Sequence, residues 1–589
     1  MQFLIALVIG ALSAFAFQPV GWWPLMILAI ASLCEMVSRA GSLRQSLLIG
    51  WGFGFGQFLI GLNWIAIAFT FQAAMPAWLG WVAVLLLSLF LAVYPMIAAG
   101  LAWRFGRQSA LAMVLAMAGA WATTEWLRAT LFTGFAWNPI GVILVDTHAL
   151  GVSNLIGTYG LSLLVVLASG AIWLLARRHW REGMAISAVV LLTHFLPRPS
   201  IEPANAQALR PIRIVQPNIG QQLKWIPGYE QIAAARLGKL STLKDQRQEL
   251  IFWPEAAVTE PLSDNRPGAA TYIVEERAAA ARQVSDRDLL LTGGLAFRSS
   301  DQRRVDGAAN SIFVLGPGGK FVGRYDKAHL VPYGEYLPFR PLLSAIGLSR
   351  LAPGDLDFQP GPGPRSLALP EGWGTAGFQL CYEIIFSGHV VDRDHRPDFI
   401  FNPSNDAWFG SWGPPQHLAQ ARLRAAEEGI PVIRSTPTGI SALIDARGRL
   451  VDSIPLGKAG IIWGYLPPST PPTLFARLGN IIPLTLGFLL LIAAIALDRP
   501  LATGAYNESF ISRFSAVFCQ GLTALHARLL SLHLRIGFRR PSRQGRRSDK
   551  RRDRRPFPFE GSGIPRGVRD HGDDAAYCPQ RRNPLPTGL

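Results

Sequence analysis

The apolar positions of this chain follow two different regimes. Over the first two hundred residues they run almost without interruption, in blocks of roughly 15 to 25 residues, the length a helix needs to cross a bilayer. The blocks predict spans near 2–17, 22–37, 47–70, 77–102, 109–128, 160–176 and 183–197. An eighth, "NIIPLTLGFLLLIAAIALD", covers about 480–498. The first block also has the size of a signal peptide, but it lacks a basic leader and six more apolar blocks follow it, which favours a span.

Between about 210 and 470 the pattern shortens into β-branched runs separated by helical periodicity. Strands are predicted at 212–219, 249–256, 289–297, 310–316, 375–383, 398–404, 431–439 and 441–448. Helices are predicted at 229–243, 271–284 and 416–429. Strands that alternate with helices argue for a layered α/β fold. "GPGGK" at 316–320 lacks the spacing of a phosphate-binding loop and reads as a hairpin turn.

At 589 residues the chain is too long for one compact domain. The expected organisation is a bundle of seven spans over 1–200, a catalytic domain over 201–478, a last membrane helix over 479–498, and a tail over 499–589. Charge orients the bundle. Arg39 and Arg44 follow the second span, Arg104 and Arg107 the fourth, and Arg177, Arg178 and Arg181 the sixth, while the loops after the first and third carry no Lys or Arg. Positive loops stay in the cytoplasm, so the segment 200–478 is expected outside, on the periplasmic face of a bacterial inner membrane. The tail, with "RIGFRRPSRQGRRSDKRRDRR" at 535–555, supplies much of the +17 net charge. It reads as a disordered cytoplasmic extension near anionic lipid, and no accompanying motif points to nucleic acid.

Four cysteines are present, and Cys381 is alone in the segment expected outside. A lone thiol in an oxidising compartment points to reactivity. It ends the apolar run "GFQLC", as Glu255 ends "IFWPE" and as Asn402, Ser404 and Asn405 end "FIFNPSN". Ligand sites in open α/β folds gather at strand carboxyl ends. Lys327, in "GRYDKAHLVPYGEYLPF", is a third candidate. An ammonium favours a thiolate and can hold an oxyanion, and a carboxylate can take the thiol proton. Each residue alone also has a plainer reading: a solvated charge for Lys327, a strand-end salt bridge or cap for Glu255, a buried structural thiol for Cys381. No histidine spacing suggests a metal, and no cofactor is called for.

"FWPEAAVTE" (252–260), "YDKAHLVPYGEYLPF" (325–339), "CYEIIF" (381–386), "NPSNDAWFG" (402–410) and "QHLAQARLRAAEEGIPVIRSTPTGISALID" (416–445) resemble the nitrilase (carbon–nitrogen hydrolase) superfamily, and most closely its apolipoprotein N-acyltransferase branch. The resemblance covers about residues 1–497 and implies nothing for the tail. It implies a polytopic α-helical membrane bundle of about eight spans plus an αββα sandwich domain. It places a Glu-Lys-Cys triad on Glu255, Lys327 and Cys381, with Glu335 as an accessory acid. Trp225 resembles a tryptophan near the site opening, and is otherwise a packing residue. Tyr382 and Glu383 flank the nucleophile and are expected to shape the pocket. The implied reaction takes an acyl chain from a membrane phospholipid and gives it, through a cysteine thioester, to the terminal amine of a diacylglyceryl-modified apolipoprotein. The same three residues would also serve a membrane-tethered amidase with water as acceptor. Phe339, Leu342, Leu343 and Ile346 fall at helical spacing just after Glu335, as a lid facing acyl chains or as an ordinary core helix. Glu125, ionisable within the fifth span, is either functional or a structural partner of Arg128.

Overall fold

The computed structural model describes residues 1–71, 76–195, 210–224, 226, 228–242, 247–345, 351 and 356–498. Trp225, Ile346 and the tail 499–589 lie outside the described residues.

The N-terminal part is helical throughout. Its helices are α1 (Gln2–Ser13), α2 (Pro24–Ser38), α3 (Leu43–Gly61), α4 (Trp64–Ala68), α5 (Leu79–Leu91), α6 (Val93–Phe105), α7 (Ala110–Thr130), α8 (Ser153–Ala176) and α9 (Trp180–Leu192). Three continuous helical stretches, Leu79–Phe105, Ala110–Thr130 and His148–Ala176, are each long and apolar enough to cross a bilayer. Leu43–Gly61 and Trp64–Phe71, bent by 43° at a short break, make a fourth if taken as one span. The apolar helices at Gln2–Ala16, Pro24–Ser38 and Ile481–Leu497 are shorter than a straight crossing needs at about 1.5 Å per residue. Small residues let these helices approach closely: a Cβ on Gly10 would lie 1.9 Å from the Phe53 carbonyl oxygen, and one on Gly56 2.0 Å from that of Leu7.

The second part is built from two sheets. The strands are β1 (Pro211–Gln216), β2 (Leu250–Phe252), β3 (Pro261–Asp264), β4 (Leu289–Arg298), β5 (Gly307–Leu315), β6 (Phe321–Asp326), β7 (Ser366–Ala368), β8 (Thr375–Phe378), β9 (Phe399–Pro403), β10 (Val432–Ser435), β11 (Ser441–Ile444), β12 (Leu450–Ile454) and β13 (Gly460–Tyr465). One sheet runs β13-β1-β2-β4-β5-β6, with β3 added on β4, and the other runs β12-β11-β10-β9-β8-β7. The predicted turn at 316–320 joins the antiparallel strands β5 and β6. The interleaved helices are α10 (Tyr229–Ser241), α11 (Ala270–Ala281), the short α12 (Arg340–Ala345) and α13 (Gly413–Glu428).

Alternation along each strand assigns the faces. Ile212, Ile214, Phe252 and Leu291 pack against Phe378, Phe399, Phe401 and Ile433, forming the core between the sheets. Val215, Ile251, Trp253 and Leu290 turn the other way, onto Leu237 of α10 and Ala280 of α11. On the far side Ile400, Val432 and Ile444 meet Leu418, Ala421 and Ala425 of α13. The result is helix, sheet, sheet, helix.

The other face of α13 seats on the membrane helices. Ala419, Leu423 and Ala426 join the core of the helical bundle. A polar rivet fixes the seam: Glu427 Oε1 accepts from the Thr158 N–H and hydroxyl of α8, both at 2.6 Å, and from the Ser387 hydroxyl at 2.9 Å. The chain returns to the bundle through α14 (Leu474–Leu478) and α15 (Ile481–Leu497).

Candidate active site

Glu255, Lys327 and Cys381 each sit just past a strand end, after β2, β6 and β8 respectively. All three, with Glu335 and Tyr382, line one cavity of about 1250 Å³. They are far apart in sequence, and the two-sheet fold brings them together.

Cys381 opens a short 3-10 turn over Cys381–Ile385 and adopts φ 53°, a left-handed conformation that a non-glycine residue takes only when its surroundings force it. The turn is over-determined. The Glu383 carboxylate accepts from the backbone N–H of Leu380 at 2.7 Å, of Ala328 at 2.8 Å and of His329 at 3.0 Å, and from the Tyr325 hydroxyl at 2.9 Å. Glu383 thus ties the cysteine turn to the lysine segment from a buried position. Tyr382 lies in the cavity wall, its ring edge-on to Phe386 and its hydroxyl donating to the Gly134 carbonyl at 3.4 Å.

Lys327 is buried, 1% exposed, and its Nζ donates to Glu335 Oε1 at 2.9 Å. Burial by itself would lower the lysine pKa, but the charges of Glu335 and then Glu255 outweigh it and hold the ammonium above its ordinary value. Glu335 is held in turn by the Val331 N–H at 2.9 Å. Asn310 of β5 bridges the two acids, donating from Nδ2 to Glu255 Oε1 at 2.8 Å and to Glu335 Oε1 at 3.1 Å. Glu255 Oε2 accepts from the Asn405 N–H at 2.6 Å. The loop carrying Glu255 lies so close to β4 that a Cβ on Gly293 would come within 2.7 Å of Glu255 Cα and 2.5 Å of the Ala256 nitrogen.

Cys381 behaves differently from the simplest sequence expectation of a thiolate held by lysine. Burial first, and the Glu255 charge second, push its thiol above the ordinary range, with Lys327 opposing. These influences favour the neutral thiol over the thiolate, with the Glu255 carboxylate among the nearby charges.

Much of the remaining cavity lining is apolar. Leu86, Leu87 and Phe90 of α5 line it, with Leu131 and Phe132 after α7. Leu343 of α12 lines it too, whereas Phe339 and Leu342 are 81% and 68% exposed, so these residues are not those of an ordinary core helix. Glu125 accepts from the Trp121 indole at 3.0 Å and the Ile140 N–H at 2.8 Å, and Arg128 donates to the carbonyls of Phe135 and Trp137 at 3.0 and 2.8 Å. Both pin the loop beyond α7, a structural task.

Residues 9–171 match the apolipoprotein N-acyltransferase N-terminal domain, and residues 212–470 match the carbon–nitrogen hydrolase family. The apolipoprotein N-acyltransferase of Rhodopseudomonas palustris is 34% identical over 524 residues, covering 84% of this chain and 95% of that protein. The chain belongs to the apolipoprotein N-acyltransferase family. Apolipoprotein N-acyltransferases of Rhizobium rhizogenes and Bradyrhizobium diazoefficiens are 34% and 35% identical, covering 90% and 91% of their own lengths.

Several groups around this acyltransferase-type site escaped the sequence reading. Asn310, beside Ser311, is a polar residue inside a mostly apolar, buried strand, a detectable signal. Lys224 donates to the Glu255 carbonyl at 3.0 Å and lines the cavity, and burial lowers its pKa to about 8 against the opposing pull of Glu255. Behind the cysteine stands a buried polar cluster. The Ser404 hydroxyl lies 3.3 Å from Cys381 Sγ and 2.8 Å from Asp406 Oδ1. Arg434 Nη2 donates to both Asp406 oxygens, at 2.8 and 2.7 Å. His417 Nε2 faces the Cys381 carbonyl at 3.1 Å. From sequence His417 carried no ligand spacing, and only the fold puts it beneath the cysteine.

Proposed function

We propose that this chain moves a fatty acyl group from a membrane glycerophospholipid to the N-terminal amine of a diacylglyceryl-modified lipoprotein. One observation carries the reading: a single cavity of about 1250 Å³ is lined both by Cys381, Lys327 and Glu255 and by apolar side chains of α5. That lining suits an acyl chain whose ester reaches the sulfur.

In the first half-reaction Glu255 takes the thiol proton as Cys381 attacks the ester carbonyl. Lys327, kept charged by Glu335, faces the oxyanion of the tetrahedral intermediate, helped by the Tyr382 N–H. The glycerol oxygen leaves with the proton from Glu255, and a lysophospholipid departs. In the second half-reaction the lipoprotein amine attacks the thioester, its proton passes to Glu255, and the sulfur leaves to recover it. Thioester to amide is downhill, and the kinetics are ping-pong. Glu383 and Tyr382 hold and wall the cysteine turn. The segment beginning at Phe339 is the arm over which acyl chains enter.

The same reading sets the chain in a bacterial inner membrane with about eight spans, the shorter apolar helices completing the set, and the two-sheet domain on the periplasmic side. The domains are then 1–200, 201–478, 479–498 and the tail 499–589.

The test is incubation of purified protein with a phospholipid labelled in its acyl chain. Mass spectrometry should find the acyl group on Cys381, discharged by a synthetic diacylglyceryl-cysteine peptide. Cys381→Ser should carry no hydroxylamine-sensitive label. Equal labelling of both proteins would sink the proposal.

A further inference from the structure

Ser404 sits where one hydroxyl proton faces Asp406, Cys381 and, at 3.5 Å, the ring nitrogen His417 Nδ1. Its Oγ is 2.8 Å from Asp406 Oδ1 and 3.3 Å from Cys381 Sγ, and both its neighbours are buried. A serine hydroxyl has one hydrogen to donate. While the sulfur is a neutral thiol, the carboxylate is much the better acceptor. Once the sulfur is an anion, the two compete on similar terms, because hydrogen bonds to charged groups are the strong ones.

Asp406 is arranged so that it can release this bond. Arg434 Nη2 remains on both its oxygens, and His417 Nδ1 lies 3.0 Å from Oδ1. A carboxylate so held stays ionised. Burial opposes ionisation, but Arg434 and His417 overcome it and keep the Asp406 pKa far below the usual range. Asp406 is therefore a poor proton acceptor, and Ser404 does not relay the thiol proton to it.

We propose that Ser404 is a catalytic residue whose O–H turns from Asp406 to Cys381 as the thiolate forms. The bookkeeping is simple: the thiol proton goes to Glu255, the sulfur keeps the electron pair, and the Ser404 O–H bond stays intact while its hydrogen bond changes partner. When the sulfur becomes a thioester, and neutral again, the hydroxyl returns to Asp406. Without this donor, the anion at Cys381 would face the Asp406 charge beside a protonated, neutral Glu255, with Lys327 as ionic support. The inference rests on the cysteine-nucleophile reading above, but its test does not use the acyl donor.

The experiment follows iodoacetamide alkylation of Cys381 against pH in the purified full chain, read by mass spectrometry of the Cys381 peptide. Ser404→Ala and Ser404→Gly should both raise the midpoint by about one pH unit, which is about tenfold less thiolate at neutral pH. Ser404→Thr, which keeps the hydroxyl, should hold the wild-type midpoint. A loosened pocket relieves the burial that raises the thiol and so moves the midpoint down, opposite in sign to loss of the donor. A midpoint unmoved in Ser404→Ala, or moved equally in Ser404→Thr, would overturn the role. If instead the phospholipid label fails to reach Cys381 while the midpoints shift as stated, the donor is wrong and Ser404 stands.

Discussion

Glu335→Gln is the sharpest probe of the site's electrostatics, because it changes one oxygen to nitrogen and almost no volume. The native carboxylate accepts from Lys327 Nζ at 2.9 Å, Asn310 Nδ2 at 3.1 Å and the Val331 N–H at 2.9 Å, among other contacts. A carboxamide has one oxygen. If that oxygen stays on Lys327 and Asn310, the NH₂ meets the Val331 N–H, donor against donor. Leaving one buried donor unpaired costs about 1–3 kcal/mol. Removing the charged partner of a buried ammonium is worse, about 3–5 kcal/mol for the whole change. At about 2 °C per kcal/mol for a domain of this size, the melting temperature in detergent should fall by about 6–10 °C. Lys327 also loses the leading charge that sustains its protonation and its aim, so acyl-enzyme formation in a single-turnover assay should slow by about a hundredfold. Glu335→Asp, which keeps the charge at shorter reach, should recover part of both losses. A Glu335→Gln protein that melts with wild type and acylates at the wild-type rate would refute the argument.

Two further outcomes test the surroundings. Gly293→Ala drives a Cβ into the backbone of Pro254, Glu255 and Ala256, at 2.5–2.7 Å, so it should cost about 1–3 kcal/mol in thermal unfolding and, by shifting the carboxylate, about a hundredfold in acylation rate; wild-type acylation would refute it. Lys224, lowered by burial to about 8, is half deprotonated near that pH, where ordinary lysines remain charged. Limited treatment with an amine-reactive acetylating reagent at that pH should modify Lys224 ahead of exposed lysines such as Lys320, and should do so faster in Glu255→Gln, which removes the charge that supports its protonation; labelling in the reverse order would count against the burial.

The layered fold was legible because its central strands carry long apolar runs. Every predicted strand has a counterpart, and α10, α11 and α13 follow the predicted helices closely. β3, β6, β7, β12 and β13 were missed for a physical reason: β13, β6, β12 and β7 are the sheet edges and β3 is a short addition on β4, and β12 is exposed at four of its five positions, so no long apolar run marks them. The helical region was legible as apolar but not as a count of crossings, since composition does not reveal where α3 breaks from α4 or how short α1, α2 and α15 are. At the site, Glu255 and Cys381 stood out as polar residues closing apolar strands, and Lys327 as a third candidate whose strand, β6, was not predicted. Their supports were less legible: Asn310 was not singled out, and Ser404, although it closes an apolar run, gave no sign of its contact with Cys381, because both act through partners distant in sequence.

The Glu427 rivet has a mechanical corollary. Because α8 and α13 are joined by hydrogen bonds as well as by packed alanines, the upper part cannot tilt toward or away from the helices like a hinged cap. The height of the sulfur is set as by a depth gauge, by whatever layer surrounds the helices. In the proposed reaction, the acyl ester and the lipoprotein amine would both have to rise or sink to that single level, so substrates of very different reach would be sorted by geometry before any headgroup is read.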